Sequence, residues 1–191
     1  MVSVVGTGLT LPFDIEPYGP GDSEYAAGQR LLERTLENLG PRFANYVVVD
    51  GEFARAPFLH TVGDLGLKVV ARLKDNLPEL SRAARKRFAS IPPDCKSRDG
   101  LDRVEIWDAD DFNLWETVRW KTVQVIRYLQ HKPDGTVVEV YWLADFSKSE
   151  AGGQALYSMA KADGKLKTRV STTPKIGMDS NISVTTTRTA F

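Results

Sequence analysis

The first half of the chain alternates between continuous apolar runs and segments with helical character. Residues 46–49 and 68–73 are valine-rich runs, the pattern of strands that are buried on both faces of a sheet. A short helix is predicted between them over 56–65, with Gly66 as its C-terminal cap. Since a strand, a helix and a second strand in this order form a parallel crossover, the pattern predicts an α/β fold.

Further elements are predicted on both sides of this unit. Apolar residues recur at helical spacing over 22–39, and Gly40-Pro41 then ends the predicted helix. The remaining predictions for the first 91 residues are two short strands, over 2–5 and 9–15, and a basic helix over 78–88.

The pattern changes to β after Pro92-Pro93. Segments 104–107, 119–128 and 136–143 alternate or run as strands, and the turn residues at 132–135 predict a hairpin between the last two. A helical pattern then returns. The predicted organisation is a core fragment over 1–91, a β-rich insertion over 92–146 and the start of a final core helix over 147–160.

Four tryptophans lie in the predicted insertion, at positions 107, 115, 120 and 142. Indoles in a small β module most often form its core, and this is the interpretation we favour. The alternative is a stacking surface for unpaired bases.

The amino-acid composition excludes some classes of protein and of site but does not indicate a function. The 25 basic and 25 acidic residues give a formal net charge of zero, which argues weakly against a strongly basic nucleic-acid binder. The single cysteine, Cys95, excludes an internal disulfide and a multi-cysteine zinc site. No apolar run approaches the roughly 20 residues that span a bilayer. We therefore expect a soluble, cytoplasmic protein with no membrane partner.

The charge is unevenly distributed along the chain. Residues 161–191 carry six basic and two acidic groups, whereas the first 160 residues have a net charge of −4. The apolar residues of this last segment follow neither a helical nor a strand period. Residues 161–191 are therefore predicted to be a disordered or non-native tail.

The residue types that follow the two buried strands suggest chemistry. Asp50 comes directly after the first, and open α/β folds place their ligand sites at the carboxyl ends of strands. The alternative is that Asp50 caps the next helix or turns the chain at Gly51. Arg72 and Lys74 end the neighbouring strand and would reach the same edge. An acid for metal beside bases for phosphate is the layout of phosphoryl transfer on nucleic acid.

The basic helix has two interpretations. Such runs are usually a solvated helix face. The functional alternative is contact with DNA phosphates, because guanidinium groups bind phosphate oxygens in pairs of hydrogen bonds. The residues concerned are Arg82, Arg85, Lys86 and Arg87.

Several segments together resemble the DDE transposases of bacterial insertion sequences. The stretch Tyr46-Val-Val-Val-Asp50-Gly-Glu-Phe and the stretch Val69-Val-Ala-Arg72-Leu-Lys74-Asp-Asn look like the centre of that catalytic domain. The segments at 17–27 and 140–143 are similar to one branch of the family. The resemblance implies an RNase H-like fold, here with an all-β insertion and without its first strand. Three acids would hold two Mg²⁺ ions for DNA cleavage and joining during transposition.

The resemblance assigns roles to only some of these positions. Asp50 matches the family's second acid, a metal ligand and catalytic residue, and Arg72 and Lys74 match its basic pair. The first acid would precede residue 2. The third would lie on the helix after the insertion, where this chain has no glutamate beyond Glu150. With one acid of three, we expect this chain to be inactive. The implied partners are DNA of the element ends and target, with a homodimer in the intact family.

The genetic code offers an explanation for the tail. If residues 161–167 are written with the permitted codons AAA GCA GAT GGG AAA TTG AAA, reading from the third base gives Ser-Arg-Trp-Glu-Ile-Glu. This resembles the family's glutamate helix. The hypothesis is a transposase gene fragment, truncated at its start and frameshifted near residue 161. The alternatives are a non-catalytic DNA-binding remnant and an inert pseudogene product with an exposed sheet edge.

Overall fold

The computed structural model describes residues 2–6, 9–75, 77–113, 118–120, 122–164 and 181–184. Within them the chain forms helices α1 (Glu24–Leu39), α2 (Ala56–Asp64), α3 (Pro78–Ala89) and α4 (Gly153–Gly164), with a 3₁₀ turn at Gly51–Phe53. The strands are β1 (Val2–Gly6), β2 (Leu9–Asp14), β3 (Tyr46–Val49), β4 (Lys68–Leu73), β5 (Cys95–Asp99), β6 (Asp102–Phe112), β7 (Val123–His131), β8 (Val137–Ala144) and β9 (Asn181–Val184).

The strands form one mixed sheet, in the order β2-β1-β9-β3-β4-β8-β7-β6-β5. Strands β3 and β4 are parallel, with Tyr46 opposite Lys68, and α2 provides the crossover between them. The predicted α/β class and the predicted parallel unit are confirmed.

Strand β3 is buried on both faces, as its continuous valine run predicts. Val47 and Val49 are fully buried in the larger core cluster, with side chains from α1, α2 and α3. Val48 points to the other face, where it packs with Val70 and with Leu156 of α4. Helices therefore cover both faces of the sheet at this point.

Helix α1 has the ends that its sequence predicts. The Ser23 hydroxyl accepts a hydrogen bond from the Ala26 N–H at 3.3 Å, which satisfies one of the free donors of the first turn. At the other end Gly40 has a φ of 90°, a conformation that residues with a Cβ rarely adopt, and its N–H bonds to the Leu36 carbonyl.

The predicted insertion continues the sheet of the core. The hairpin of β7 and β8 is confirmed, and β8 pairs antiparallel with β4, with Leu73 opposite Tyr141. Strand β6 is longer than predicted, and β5 was not predicted from the sequence. The backbone hydrogen bonds across β4 and β8 therefore join segments 1–91 and 92–146 in one sheet.

Of the described tryptophans, Trp107 confirms the core interpretation, and Trp120 and Trp142 are partly buried against the core clusters. Trp107 is 5% exposed and donates from Nε1 to the Ile91 carbonyl at 2.9 Å. Trp120 packs against the larger core cluster and Trp142 against the cluster under α4. Trp115 lies outside the described residues.

The end of the chain differs from the prediction of an unstructured tail in two places. Helix α4 begins at 153 rather than 147, because residues 147–151 form a hydrogen-bonded turn around Glu150, and it continues through Gly164. Strand β9 lies between β1 and β3 and pairs with both, so the sheet edge expected to be exposed there is covered. Residues 165–180 and 185–191 lie outside the described residues.

Candidate functional site

Asp50 lies where β3 ends and the 3₁₀ turn begins. Its side chain is 47% exposed and makes no capping hydrogen bond to the turn. Its carboxylate instead accepts a hydrogen bond from Lys74 Nζ at 3.0 Å. The side chain therefore does not cap the turn. The other part of that alternative is borne out, because Asp50 begins the turn at Gly51 and its carbonyl accepts the Phe53 N–H at 3.0 Å.

Lys74 follows β4 and forms an ion pair with Asp50, which follows β3. Besides Asp50, its ammonium group lies 3.6 Å from Glu52 Oε1, so two carboxylates share one cation. The sequence prediction placed Asp50 near Lys74 but did not include Glu52. The stretch Asp50-Gly-Glu52 could have predicted the position of Glu52, since a tight turn brings alternate side chains to the same edge.

Gly51 is required by this arrangement. A Cβ at position 51 would lie 2.6 Å from Lys74 Cδ and 2.9 Å from the Arg72 carbonyl oxygen. The lysine stem therefore occupies the space that any other residue would need.

The charges around Asp50 stabilise its ionised form. Burial raises the pKa of Asp50, but it is outweighed by hydrogen bonds from the Gly51 N–H and Lys74 and by the charges of Lys74 and Arg72, so the pKa lies below its ordinary value. Arg72 itself is exposed, with no ion pair among the described residues. The predicted convergence of Asp50, Arg72 and Lys74 on one edge is therefore present in the structure.

The described residues do not supply the two-metal site that the resemblance implies. No group of three or more His, Cys, Asp or Glu side chains among them is arranged to hold a metal ion. Around Asp50 the only close carboxylate among the described residues is Glu52, and the two carboxylates share the single ammonium group of Lys74. Mg²⁺ prefers near-octahedral oxygen ligands. These residues therefore do not fit the metal pair as they stand.

The four basic residues of α3 divide into two pairs. All four are exposed, because Leu80, Ala84 and Phe88 form the buried face. Arg87 pairs with Asp111 at 3.1 Å, and Arg85 lies 3.7 Å from Asp75 and over the Tyr141 ring.

Arg82 and Lys86 make no ion pair in the described part of the chain. At i and i+4 they lie on the same stripe of the helix. The solvated-face interpretation thus fits Arg85 and Arg87, each of which has an exposed carboxylate within 4 Å. The phosphate-contact interpretation is left with Arg82 and Lys86.

A cavity of about 190 Å³ lies beside the Asp50 turn. It is lined by Glu24, Tyr25, Glu52, Phe53 and Arg55. Small-molecule sites usually measure roughly 300–1,000 Å³. The cavity is smaller than this, so the polar groups here are better placed to meet a surface than to enclose a ligand.

Two carboxylates, one buried and one partly buried, were not predicted from the sequence. Asp108 is 5% exposed and accepts hydrogen bonds from Gln124 Nε2 at 2.7 Å and from the Gly153 N–H at 2.6 Å. Burial raises the pKa of Asp108 above its ordinary value, against the effect of these hydrogen bonds. Asp145 accepts the Val69 N–H at 2.7 Å, and burial raises its pKa to about 6.

Both carboxylates connect elements of the sheet to one another or to a helix. Asp108 connects β6 and β7 to the first residue of α4, and Asp145 connects the end of β8 to the start of β4. The sequence of β6 did not single out Asp108, because this strand carries four other acidic residues, Asp102, Glu105, Asp110 and Asp111.

In the part of the chain that the structure describes, no helix is long and apolar enough to cross a membrane. The sequence matches no protein-family model and is not significantly similar to any curated protein.

Proposed function

We propose that this chain derives from the RNase H-like catalytic domain of a DDE transposase, the enzyme that cleaves and joins DNA in transposition of an insertion sequence. We propose further that the chain contacts DNA phosphates but does not catalyse strand transfer. The observation that carries the proposal is the meeting of Asp50, Arg72 and Lys74 at the carboxyl ends of two parallel strands.

The position of these groups supports a nucleic-acid partner. Carboxyl ends of parallel strands are where open α/β folds bind ligands. Arg72 extends from this edge without an ion partner in the described residues, and Arg82 and Lys86 add two more unpaired cations on α3. Exposed cations that have no internal partner are free to replace the counterions of DNA.

The groups that surround Asp50 support the proposed lack of catalysis. In-line attack on a phosphodiester with two metal ions needs several converging carboxylates. Asp50 has Glu52 as its nearest described carboxylate, and Lys74 Nζ is hydrogen-bonded to Asp50 Oδ2 at 3.0 Å. We therefore expect no Mg²⁺-dependent nicking or joining of DNA by the purified chain.

The DNA contact is tested by two double variants that remove equal charge. Arg82→Gln with Lys86→Gln should weaken binding to a labelled duplex about tenfold and lower the salt slope of the affinity by about 2, as for two lost phosphate contacts. Arg85→Gln with Arg87→Gln is the control and should change both quantities less, since these cations are already paired. Fluorescence anisotropy at several salt concentrations measures both.

Three results would count against parts of the proposal. Equal effects of the two double variants would show that only net charge matters. Absence of salt-dependent DNA affinity in the unmodified chain would favour the inert pseudogene product instead. Mg²⁺-dependent nicking that Asp50→Asn abolishes would overturn the proposed inactivity.

The frameshift hypothesis has its own test in the coding DNA. We expect codons for residues 161–167 that yield Arg-Trp-Glu-Ile-Glu in the shifted frame. Codons that cannot encode this peptide would remove the frameshift from the proposal and leave the resemblance of residues 2–160 untouched.

A further inference from the structure

The last described strand occupies an internal position in the sheet. Strand β9 runs antiparallel to β1, with Ser183 opposite Ser3, and parallel to β3, with Ser183 opposite Val48. Its backbone is therefore paired on both sides.

Strand β9 comes from far along the chain. The other eight strands lie within residues 2–144, and 16 residues separate Gly164 from Asn181. Strands β1 and β3 have no register with each other among the described pairings, because β9 lies between them. The N-terminal hairpin thus joins the sheet only through a segment at the opposite end of the chain.

The hairpin is also held by side chains that do not involve β9. Arg34 of α1 bonds to Asp14 at 2.8 Å and to Glu16 at 2.6 Å, and Arg30 bonds to Glu16 at 2.9 Å. These contacts tether the end of β2 to the body of the protein. Withdrawal of β9 would therefore leave a gap with two unpaired strand edges beside a hairpin that is still attached.

We propose that the gap between β1 and β3 is a strand-binding site, that its occupant is the chain's own C-terminal segment Asn181–Val184, and that it accepts an extended peptide of the same sequence when this segment is withdrawn. Addition of a strand to exposed sheet edges is a recurring mode of peptide recognition in which main-chain hydrogen bonds supply the affinity. Here the site offers such bonds on two sides. The proposal rests on backbone pairing and not on the proposed function.

The experiment uses the full chain with Ser183→Pro, and Ser183→Ala as the matched control. Proline removes an N–H that a central strand needs, whereas alanine keeps it. The probe is a fluorescent peptide of residues 178–187. It should bind Ser183→Pro at least tenfold more tightly than it binds the unmodified chain or Ser183→Ala, and a probe with proline at position 183 should not bind.

Hydrogen exchange decides the first part of the proposal even if Ser183→Pro does not fold. In the unmodified chain, the amides of β9 and those of β1 and β3 that face it should be protected. Exchange of the β9 amides at the rate of an unstructured peptide would overturn the proposal. A folded Ser183→Pro chain that has lost this protection but does not bind the probe would overturn the acceptor site.

Discussion

Asp50 and Asp108 are both aspartates of the sheet, but Asp50 follows the last residue of β3 at an exposed position, whereas Asp108 lies within β6 in the core. Asp50 is half exposed, and its partner is the long side chain of Lys74, which also forms an ion pair with Glu52. Asp108 is 5% exposed, and its partners are an amide side chain and a backbone N–H held by surrounding structure. Exposed ion pairs contribute little to stability, whereas a buried polar group that loses its partner is costly.

The two aspartates differ in their expected contribution to the stability of the fold. We expect the fold to depend little on the ion pairs at Asp50, because these side chains are largely exposed. The groups at Asp108 fix the start of α4 against β6 and β7, and they are closed to solvent. Substitutions in the two regions should therefore differ in size and in kind.

The largest effect is expected from Asp108→Ala. The change leaves the Gly153 N–H and one N–H of Gln124 buried without an acceptor, so the free energy of unfolding should fall by about 3 to 4 kcal/mol. Urea denaturation of the full chain measures it. The control is Asp111→Ala, an exposed partner of Arg87, for which we expect a change within about 0.5 kcal/mol. Similar losses in both variants would remove the distinction between buried and exposed carboxylates.

Asp145 should make the free energy of unfolding depend on pH. Its folded pKa of about 6 exceeds the ordinary 3.8, so the folded chain binds this proton more tightly than the unfolded chain. The resulting stability is complete below pH 3.8 and is lost as the pH rises through about 6. Relative to Asp145→Asn, the unmodified chain should lose about 2 kcal/mol between pH 4 and pH 7.

Glu150→Gln provides a control of opposite sign. The pKa of Glu150 lies below its ordinary 4.5 because of hydrogen bonds from the Ser147 N–H and hydroxyl and from Lys68. Its contribution is present above pH 4.5 and is lost on acidification, so the unmodified chain should gain relative to Glu150→Gln as the pH rises. Denaturation curves at several pH values measure both, and parallel trends would contradict the assignment.

The sequence predicts the parts of this arrangement that depend on local pattern. The valine runs predict β3 and β4, and parallel pairing then places Asp50 near Arg72 and Lys74. Ser23 and Gly40 predict the ends of α1. In each case the residues that form the feature are close in sequence or belong to consecutive elements.

The parts that were missed depend on distant partners. Asp108 is explained by Gln124 and Gly153, which belong to different elements. Strand β9 lies in a segment without apolar periodicity, and only β1 and β3 on either side give it a place in the sheet. Backbone pairing requires no particular side-chain pattern, so periodicity does not reveal such a strand.

At the Asp50 edge, Gly51→Ala should have an intermediate effect. The new Cβ would collide with Lys74 and with the Arg72 carbonyl, so the lysine stem must move and the backbone must adjust. We expect a loss of about 1 to 2 kcal/mol in the free energy of unfolding and a rise in the pKa of Asp50. The control is Gly63→Ala on α2, where a Cβ meets nothing within 4 Å and alanine favours the helix. Equal destabilisation by both changes would show that the contact with Lys74 is not the cause.

The smallest effect on stability is expected from Lys74→Met. The change removes the ammonium group that two exposed carboxylates share and keeps most of the stem that packs over Gly51, so the free energy of unfolding should change by less than about 1 kcal/mol. The pKa of Asp50 should nevertheless rise, because a hydrogen bond and a positive charge are lost. NMR titration of the Asp50 carboxyl carbon measures the second quantity and urea denaturation the first. A large loss of stability would place Lys74 with Asp108 among the structural groups. An unchanged pKa would mean that Lys74 is not needed to lower the pKa of Asp50. The Gly51 N–H and the charge of Arg72 would then be sufficient to lower it.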